Sequence, residues 1–524
     1  MKKNKELSKY IIGYNNLKKK NSLDQISLIQ EKLSKKCKFV KDNFINNYFF
    51  IENFFYNEVF VNIFLSKIGI SKLRNVLIAY NSSSYEKVCY AMPEEWIKFF
   101  LDEEYKVNIF ISKLKFINLI LKHFMIGIYT IIKINFLILI NFFNVDLLNF
   151  SYFNKCSVFN FPRDENSSKY NLFNFCKINF LKNDVVNFLY SSNSKRKEEF
   201  YYKKYKFNCS SYPFKIKLNL KEYFFFLYKL LIILFFTLFS LILGHWWNVI
   251  MLSEQPLKLL AEIKKIKNLP KDIIFNLSDL YYRPLWTYVL ENRGSRVFMI
   301  WYSTNNQANY KKKIKEKFFY DWVNINWPIN VVWNQEQKIW LENYIGAKKT
   351  KIIYFGYVWL NDYKMTLEFS KNQKYLSVFT VNPYSLLKFS MSNEDELELL
   401  KCENAINFLK DIISISKKNQ NFKILLKNKR EILSTHHPKY IDFLKKNENN
   451  FVFINENISP IKILENSFGS VNFPFTSTAY LSKNMNLPTC YYDVTGKVNN
   501  FSFDNKIDLI KSKQELQEWV SKYL

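Results

Sequence analysis

The sequence predicts an α/β protein of two Rossmann-like halves facing a cleft, with apolar helices inserted in the N-terminal half. Three observations carry this. From residue 272 onward, short apolar runs alternate with helix-like stretches, the pattern of a parallel sheet. A chain of 524 residues with 48% hydrophobic content is long enough for two or three cores. Two long runs with little or no charge precede the alternation.

Residues 1–150 mix Lys-rich helices with apolar runs such as "NVLIAY" at 75–80, which reads as a strand. Residues 151–220, rich in Asn, Ser and aromatics, read as irregular. Together with the apolar helices they form an insertion spanning about 110–250 within a domain of residues 1–365. Inside it, "LLIILFFTLFSLILGHWWNVIMLS" (230–253) contains no Asp, Glu, Lys or Arg, and Met125 to Phe143 has one lysine, Lys133. The first is long enough for a bilayer core of roughly 30 Å. A buried helix, an in-plane helix and a true span all fit it. The in-plane reading places Trp246 and Trp247 at a headgroup boundary.

Then the alternation begins. "DIIFNLSD" is a strand, "PLWTYVLENRG" a helix closed by Gly294, and "RVFMIWYS", "INVVWN" and "TKIIYFGYVW" are further strands. Residues 371–524 form the second domain. "YLSVFTVNP" opens it, followed by a helix that Asn393 starts with acidic residues in its first turn. "FKILLKNK", "NFVFIN", "SVNFPF" and "TCYYD" are strands, interleaved with the helices "HHPKYIDFLKKN" and "STAYLSKN", and "KQELQEWVSKYL" closes the chain.

The formal net charge is +30, of which residues 371–524 hold only +5 and the first 370 residues +25. An abundance of Lys, Asn, Ile and Phe explains part of that excess. The uneven split also suits an anionic membrane or acceptor. Seven scattered cysteines without C-x-x-C argue against a disulfide scaffold and for a reducing compartment. The N-terminal 25 residues lack the apolar core of a signal peptide, so the cytoplasm is the expected location.

Absences narrow the chemistry. No two of the nine glycines lie closer than ten residues, so neither G-x-G-x-x-G nor a P-loop exists. No Asp-x-Asp occurs, and no metal site or cofactor is expected. A phosphate site must then use side chains and helix ends. Two of the four histidines, His436 and His437, precede Pro438 at a helix start, where free N–H groups suit a phosphate. Lys427, from the preceding strand end, can share the charge. A surface His-His-Pro turn is the alternative. One unit later, Thr476, Ser477 and Thr478 follow Pro474; they are either helix caps or a second phosphate grip. In an open α/β sheet both loops lie at carboxyl strand ends, where ligands bind. Arg283 and Trp286, in "YYRPLWTY", are cleft candidates or ordinary elements of a helix start.

"VNFPFTSTAYLSKNMNLPTCYYD", with the upstream "DLYYRPLWTYVLENRGSRVFMIWYSTN" and "VVWNQEQKIWLENYIGAKKTKIIYFGYVWLND", resembles bacterial surface-polysaccharide proteins of the PFTS-motif family over residues 270–500. More distantly, the His-Pro and Ser/Thr loops are similar to those of two-Rossmann (GT-B) sialyltransferases and Kdo transferases. That resemblance implies a GT-B-like fold, an acceptor-side N-terminal domain and a C-terminal domain for a CMP-sugar donor. It makes His437, Pro438, Ser477 and Thr478 donor ligands. The chain departs from the pattern in having His436 and in lacking an acidic D/E-D/E-G base motif.

The expected activity is a metal-independent glycosyltransferase of cell-surface polysaccharide synthesis, working peripherally on the inner face of the cytoplasmic membrane. It takes a nucleotide sugar to a glycan or lipid-linked acceptor. Asp279 and then Glu254 are the candidate bases for an inverting transfer. A CDP-polyol phosphotransferase would use a similar site. A non-catalytic basic protein binding membrane or nucleic acid fits the charge alone, but basic residues interleave with apolar runs, so no specific nucleic-acid partner is expected.

Overall fold

In the computed structural model the described residues are 2–20, 22, 25–26, 28–29, 32–33, 63–82, 87–140, 150–153, 185–189, 199–202, 205–210, 218–265, 269–275, 283–301, 303, 326–345, 350–354, 369–370, 372–383, 399–419, 421–428, 436–455, 458, 460–498 and 507–524. Two sheets organise them. The first contains β1 (Phe150–Phe153), β2 (Val185–Leu189), β3 (Glu199–Tyr202), β4 (Tyr205–Ser210), β5 (Asp272–Phe275), β6 (Arg296–Ile300), β7 (Ile329–Val332) and β8 (Lys351–Tyr354), in the order β3-β4-β2-β1-β5-β6-β7-β8. Its pairings are parallel except the β3/β4 hairpin.

The second sheet contains β9 (Lys374–Thr380), β10 (Phe422–Asn428), β11 (Phe451–Ile454), β12 (Gly469–Asn472), β13 (Thr489–Tyr492) and β14 (Asp508–Ile510). Its order is β11-β10-β9-β12-β13-β14, parallel throughout. Counted from its first strand this is 3-2-1-4-5-6, the doubly wound dinucleotide-binding order. The inner strands β9, β10, β12 and β13 are almost wholly buried, as a covered parallel sheet demands, whereas the edge strand β11 exposes Val452 and Phe453. In β9 only Lys374 is exposed.

Helices cover the faces. Among the described residues they include, in chain order, α1 (Lys2–Lys19), α2 (Ile70–Tyr80), α3 (Glu94–Asp102), α4 (Ile109–Ile140), α5 (Leu220–Ile242), α6 (Trp247–Met251), α7 (Gln255–Ile263), α8 (Leu285–Asn292) and α9 (Gln335–Ile345) in the half that holds the first sheet. They continue with α10 (Cys402–Lys418), α11 (Pro438–Lys446), α12 (Pro460–Leu464), α13 (Thr478–Asn484) and α14 (Lys513–Tyr523) around the second. One buried cluster runs from Tyr10 to Leu341, joining the N-terminal helices to the first sheet, and another fills the second sheet. Trp333, just past β7, packs with Tyr375 and Phe379 of β9 and so ties the two together.

Several sequence expectations change. "NVLIAY" is helical, the second half of α2, with Leu73, Leu77 and Ile78 buried. Six apolar residues fit a strand or a buried helical face equally, and the four-residue spacing from Leu73 to Leu77 decides for the helix. The stretch 151–220, expected to be irregular, supplies β2 to β4 and most of β1; each strand is only four to six residues long and polar residues interrupt them. Of the helix expected from Asn393, the described part includes Cys402–Lys418, while Asn393 itself lies outside the described residues.

The uncharged run 230–253 is not one helix. α5 stops at Ile242, and Gly244, at φ 80°, turns the chain. Left-handed backbone of this kind favours glycine. The His245 N–H donates to Ser240 O at 2.7 Å, closing the turn. Trp247 is buried and stacks on His245 at 4.5 Å, while Trp246 packs on Phe64 and Phe116. Both tryptophans pack at the junction between α6 and the N-terminal helices, with Trp246 left half-buried.

Candidate functional site

In a sheet ordered 3-2-1-4-5-6 the connections leave in opposite directions on either side of the first strand. A crevice therefore opens at the carboxyl ends of β9 and β12. Three loops meet this point: Val381–Pro383 after β9, Phe473–Ser477 after β12, and the start of α11. The His437 N–H donates to Pro383 O at 2.8 Å, which pins α11 to the β9 loop. His437 is the N-cap of α11, with Pro438 at the first helical position, as expected. Its Nδ1 is buried with no hydrogen-bond partner among the described residues. A buried polar atom left so costs about 1–3 kcal/mol, and at a carboxyl strand end a ligand is the natural relief.

The Pro-Phe-Thr-Ser-Thr turn is rigidly built. Phe475 adopts φ 65°, a left-handed backbone rare for a bulky residue, and its ring is buried beside Tyr491. The Tyr491 hydroxyl donates to Thr476 O at 2.9 Å. Burial raises that phenol well above its usual pKa, so it stays a proton donor. Thr476 Oγ1 donates to Phe473 O at 2.9 Å and Thr478 Oγ1 to Asn472 Oδ1 at 2.7 Å. Ser477 precedes α13 without a side-chain cap bond; its hydroxyl instead meets Ser303 Oγ, beyond β6 of the first sheet, at 3.1 Å. Gln337 holds that partner loop, donating through Nε2 to Ser303 O at 2.8 Å.

Beneath the turn lies a buried polar network. The Asn472 side-chain amide donates to Ser470 Oγ and Thr489 Oγ1, both at 3.0 Å, while Ser470 Oγ donates to Ser482 Oγ at 2.8 Å. Fully satisfied networks of this kind fix one geometry. Asn472→Ala is expected to destabilise the protein by about 2 kcal/mol, since Thr478, Ser470 and Thr489 each lose a partner in the core. Chemical denaturation measures this, with loss of activity accompanying the loss of stability.

The remaining predicted residues scatter. Lys427 is buried at the end of β10, with Nζ on Asn455 O at 3.4 Å, on the β11 side of the strand. His436 is buried. Arg283 is buried and committed to its own helix: it bonds Thr287 Oγ1 at 2.9 Å, pairs with Glu291, and lies 4.1 Å from the centre of the Tyr288 ring. Trp286 sits in the core against Phe275. Both belong to the packing of α8. Asp279 lies outside the described residues. Glu254 Oε1 stands 3.7 Å from Lys67 Nζ, and Oε2 accepts from the Leu285 N–H at 3.4 Å, at the start of α8. Among the described residues no group of three or more His, Cys, Asp or Glu is placed to hold a metal ion.

Asn472, Tyr491 and Pro383 have no motif of their own, whereas Ser303 lies in "YSTN" (302–305), a strand-end hydroxyl loop that the sequence itself offers as lining the cleft. For Asn472 the signal exists only in retrospect: an asparagine where a buried strand should be apolar.

A family model described as "Polysaccharide biosynthesis PFTS motif protein" matches residues 227–520, more than half of the chain. No curated protein sequence matches. Among solved structures, S. aureus TarM bound to fondaparinux, alpha-GlcNAc-glycerol and UDP is similar at 12% identity and TM-score 0.33, over 52% of this chain and 52% of that one. The chain thus spans about half the length of TarM. A trehalose 6-phosphate synthase from Burkholderia multivorans is similar at 8% identity and TM-score 0.36, over 72% of this chain and 90% of that one. The lipopolysaccharide outer core galactosyltransferase WaaB is similar at 10% identity and TM-score 0.35, over 72% and 90%.

Proposed function

The chain belongs to the polysaccharide biosynthesis PFTS motif proteins, and from that premise we propose that it is a glycosyltransferase of cell-surface polysaccharide synthesis. It takes a nucleotide sugar, CMP-linked by preference, to a glycan or lipid-linked acceptor at the cytoplasmic face of the membrane. Residues 371–524 hold the donor and residues 1–365 the acceptor. The observation that carries the reading is His437, whose buried Nδ1, at the switch point of the second sheet, has no partner among the described residues.

In the transfer, the acceptor oxygen attacks the anomeric carbon as the bond from that carbon to the donor phosphate oxygen breaks. Negative charge builds on the departing nucleotide, where preorganised donors contribute most. A His437 Nδ1–H and the Ser477 hydroxyl donate there, and the fixed Thr476–Thr478 turn holds Ser477 in place. The acceptor proton passes to a carboxylate of the first domain, for which Asp279 is our candidate. No metal bridged by paired aspartates enters, since the sequence has no Asp-x-Asp.

The test is calorimetric titration of the purified protein with CMP, CDP, UDP and GDP. Selective binding of one nucleotide supports the donor site and names its class. No binding by a folded protein overturns it. Product analysis then separates the readings: free nucleotide with a glycosylated acceptor means sugar transfer, whereas polyol phosphate on the acceptor means a CDP-polyol phosphotransferase.

A further inference from the structure

α4 and α5 are each long and apolar enough to cross a bilayer, yet only 22% and 28% of their most apolar windows are buried. Each buries one narrow stripe against the protein. For α4 it includes Phe116, Ile120, Gly127, Ile134 and Ile138; for α5 it is Phe226, Leu230, Ile233, Thr237 and Ser240. Both helices pack on the segment 247–263. A Cβ at Gly127 would lie 2.7 Å from the Leu252 side chain, so that position admits close approach only as glycine.

The opposite stripes are exposed and equally apolar. On α4 they carry Ile117, Leu121, Met125, Ile132 and Phe136; on α5, Phe224, Tyr228, Leu231, Phe235 and Ile242. Spacings of three, four and seven keep each set on one face. A helix against water places polar residues there, whereas these two do not.

The topology decides how a membrane can meet them. α5 is the single long apolar helix between β4 and β5, which belong to one sheet. A single crossing by α5 would put the two strands on opposite sides of the bilayer. α4 likewise separates the N-terminal helices from β1, but those helices share one buried core with the first sheet. Lys67 Nζ, beyond α4 on the N-terminal side, donates to Ile250 O at 2.7 Å and Ser253 Oγ at 2.9 Å. Neither helix can therefore span without tearing a folded unit apart.

Charge favours an anionic lipid surface as the occupant. α4 has four lysines and no acidic residue, and α5 has two lysines and one glutamate. Lys133 and Lys229 lie over the rings of Tyr129 and Phe225, one turn back along their helices, the posture of stems lying along apolar surface with the ammonium at its edge.

We propose that the outward faces of α4 and α5 form a monotopic docking surface, lying in the plane of an anionic membrane and crossing it nowhere. This rests on the membrane part of the reading above and is independent of its donor chemistry.

Flotation of the full chain with phosphatidylglycerol-containing vesicles, and with phosphatidylcholine vesicles, tests it. Binding should be stronger to the anionic vesicles by about tenfold or more and should weaken with salt. The double variants Ile132→Asp/Phe136→Asp and Leu231→Asp/Phe235→Asp replace exposed residues, so circular dichroism should be unchanged while vesicle binding falls about tenfold or more. Protease added outside loaded vesicles should leave no protected fragment of the wild type. A protected helix-sized fragment overturns the in-plane seat. Unaltered binding by both variants overturns the face. Self-association without vesicle binding makes a second copy of the chain the occupant and overturns the lipid assignment. Nucleotide calorimetry on the same variants keeps a failed donor site distinct from a failed docking surface.

Discussion

His437→Ala is expected to lower kcat/KM for sugar transfer by about a hundred- to a thousandfold, the usual effect of removing one donor to a charge developing in the transition state. Stability should hardly change. The contact of His437 with the β9 loop runs through its backbone N–H to Pro383 O, which alanine keeps. The imidazole Nδ1 that is lost has no partner among the described residues, so its removal relieves a buried polar atom. Activity lost without stability is the mark of a group that serves a ligand. Steady-state kinetics together with thermal unfolding read both quantities. Unchanged turnover with unchanged nucleotide affinity would remove His437 from the site.

Glu254→Ala is expected to do the reverse. Lys67 is buried, and burial lowers its pKa while Glu254 pulls it back up. Removing the carboxylate leaves a buried ammonium whose remaining partners, Ile250 O and Ser253 Oγ, are neutral. Breaking such a pair costs about 3 kcal/mol or more. The Leu285 N–H at the start of α8 loses its acceptor as well. Unfolding should move to lower denaturant, while the folded enzyme keeps its kcat within a few-fold. A general base would behave oppositely, losing turnover at unchanged stability. Lys67→Met combined with Glu254→Gln should recover most of the loss, because no unpaired charge remains.

Much of the second sheet was legible because several of its strands are largely apolar runs bounded by Asn, Pro and Lys: "YLSVFT", "FKILLKN" and "TCYY" lie in β9, β10 and β13. The His-Pro and hydroxyl turns were legible as strand-to-helix junctions. What sequence could not supply was strand order, which depends on crossover directions. Without it nothing brings Pro383 to His437 or Ser303 to Ser477. For Arg283 the sequence left two roles open, a cleft ligand and an ordinary element of a helix start; the second holds, because the i+4 threonine and i+8 glutamate of its own helix close on it. The stretch 151–220 failed differently, since strands of four to six residues broken by Asn and Ser carry too little periodicity to register.

Phe475 has a consequence for how this turn tolerates change. Its backbone demands a residue at ease with positive φ, and its pocket beside Tyr491 demands a ring. Glycine answers the first demand and leaves a hole; leucine or valine fills part of the hole and adds backbone strain. Only another ring keeps the packing and only a residue such as glycine removes the strain, so a change at 475 trades one cost against the other.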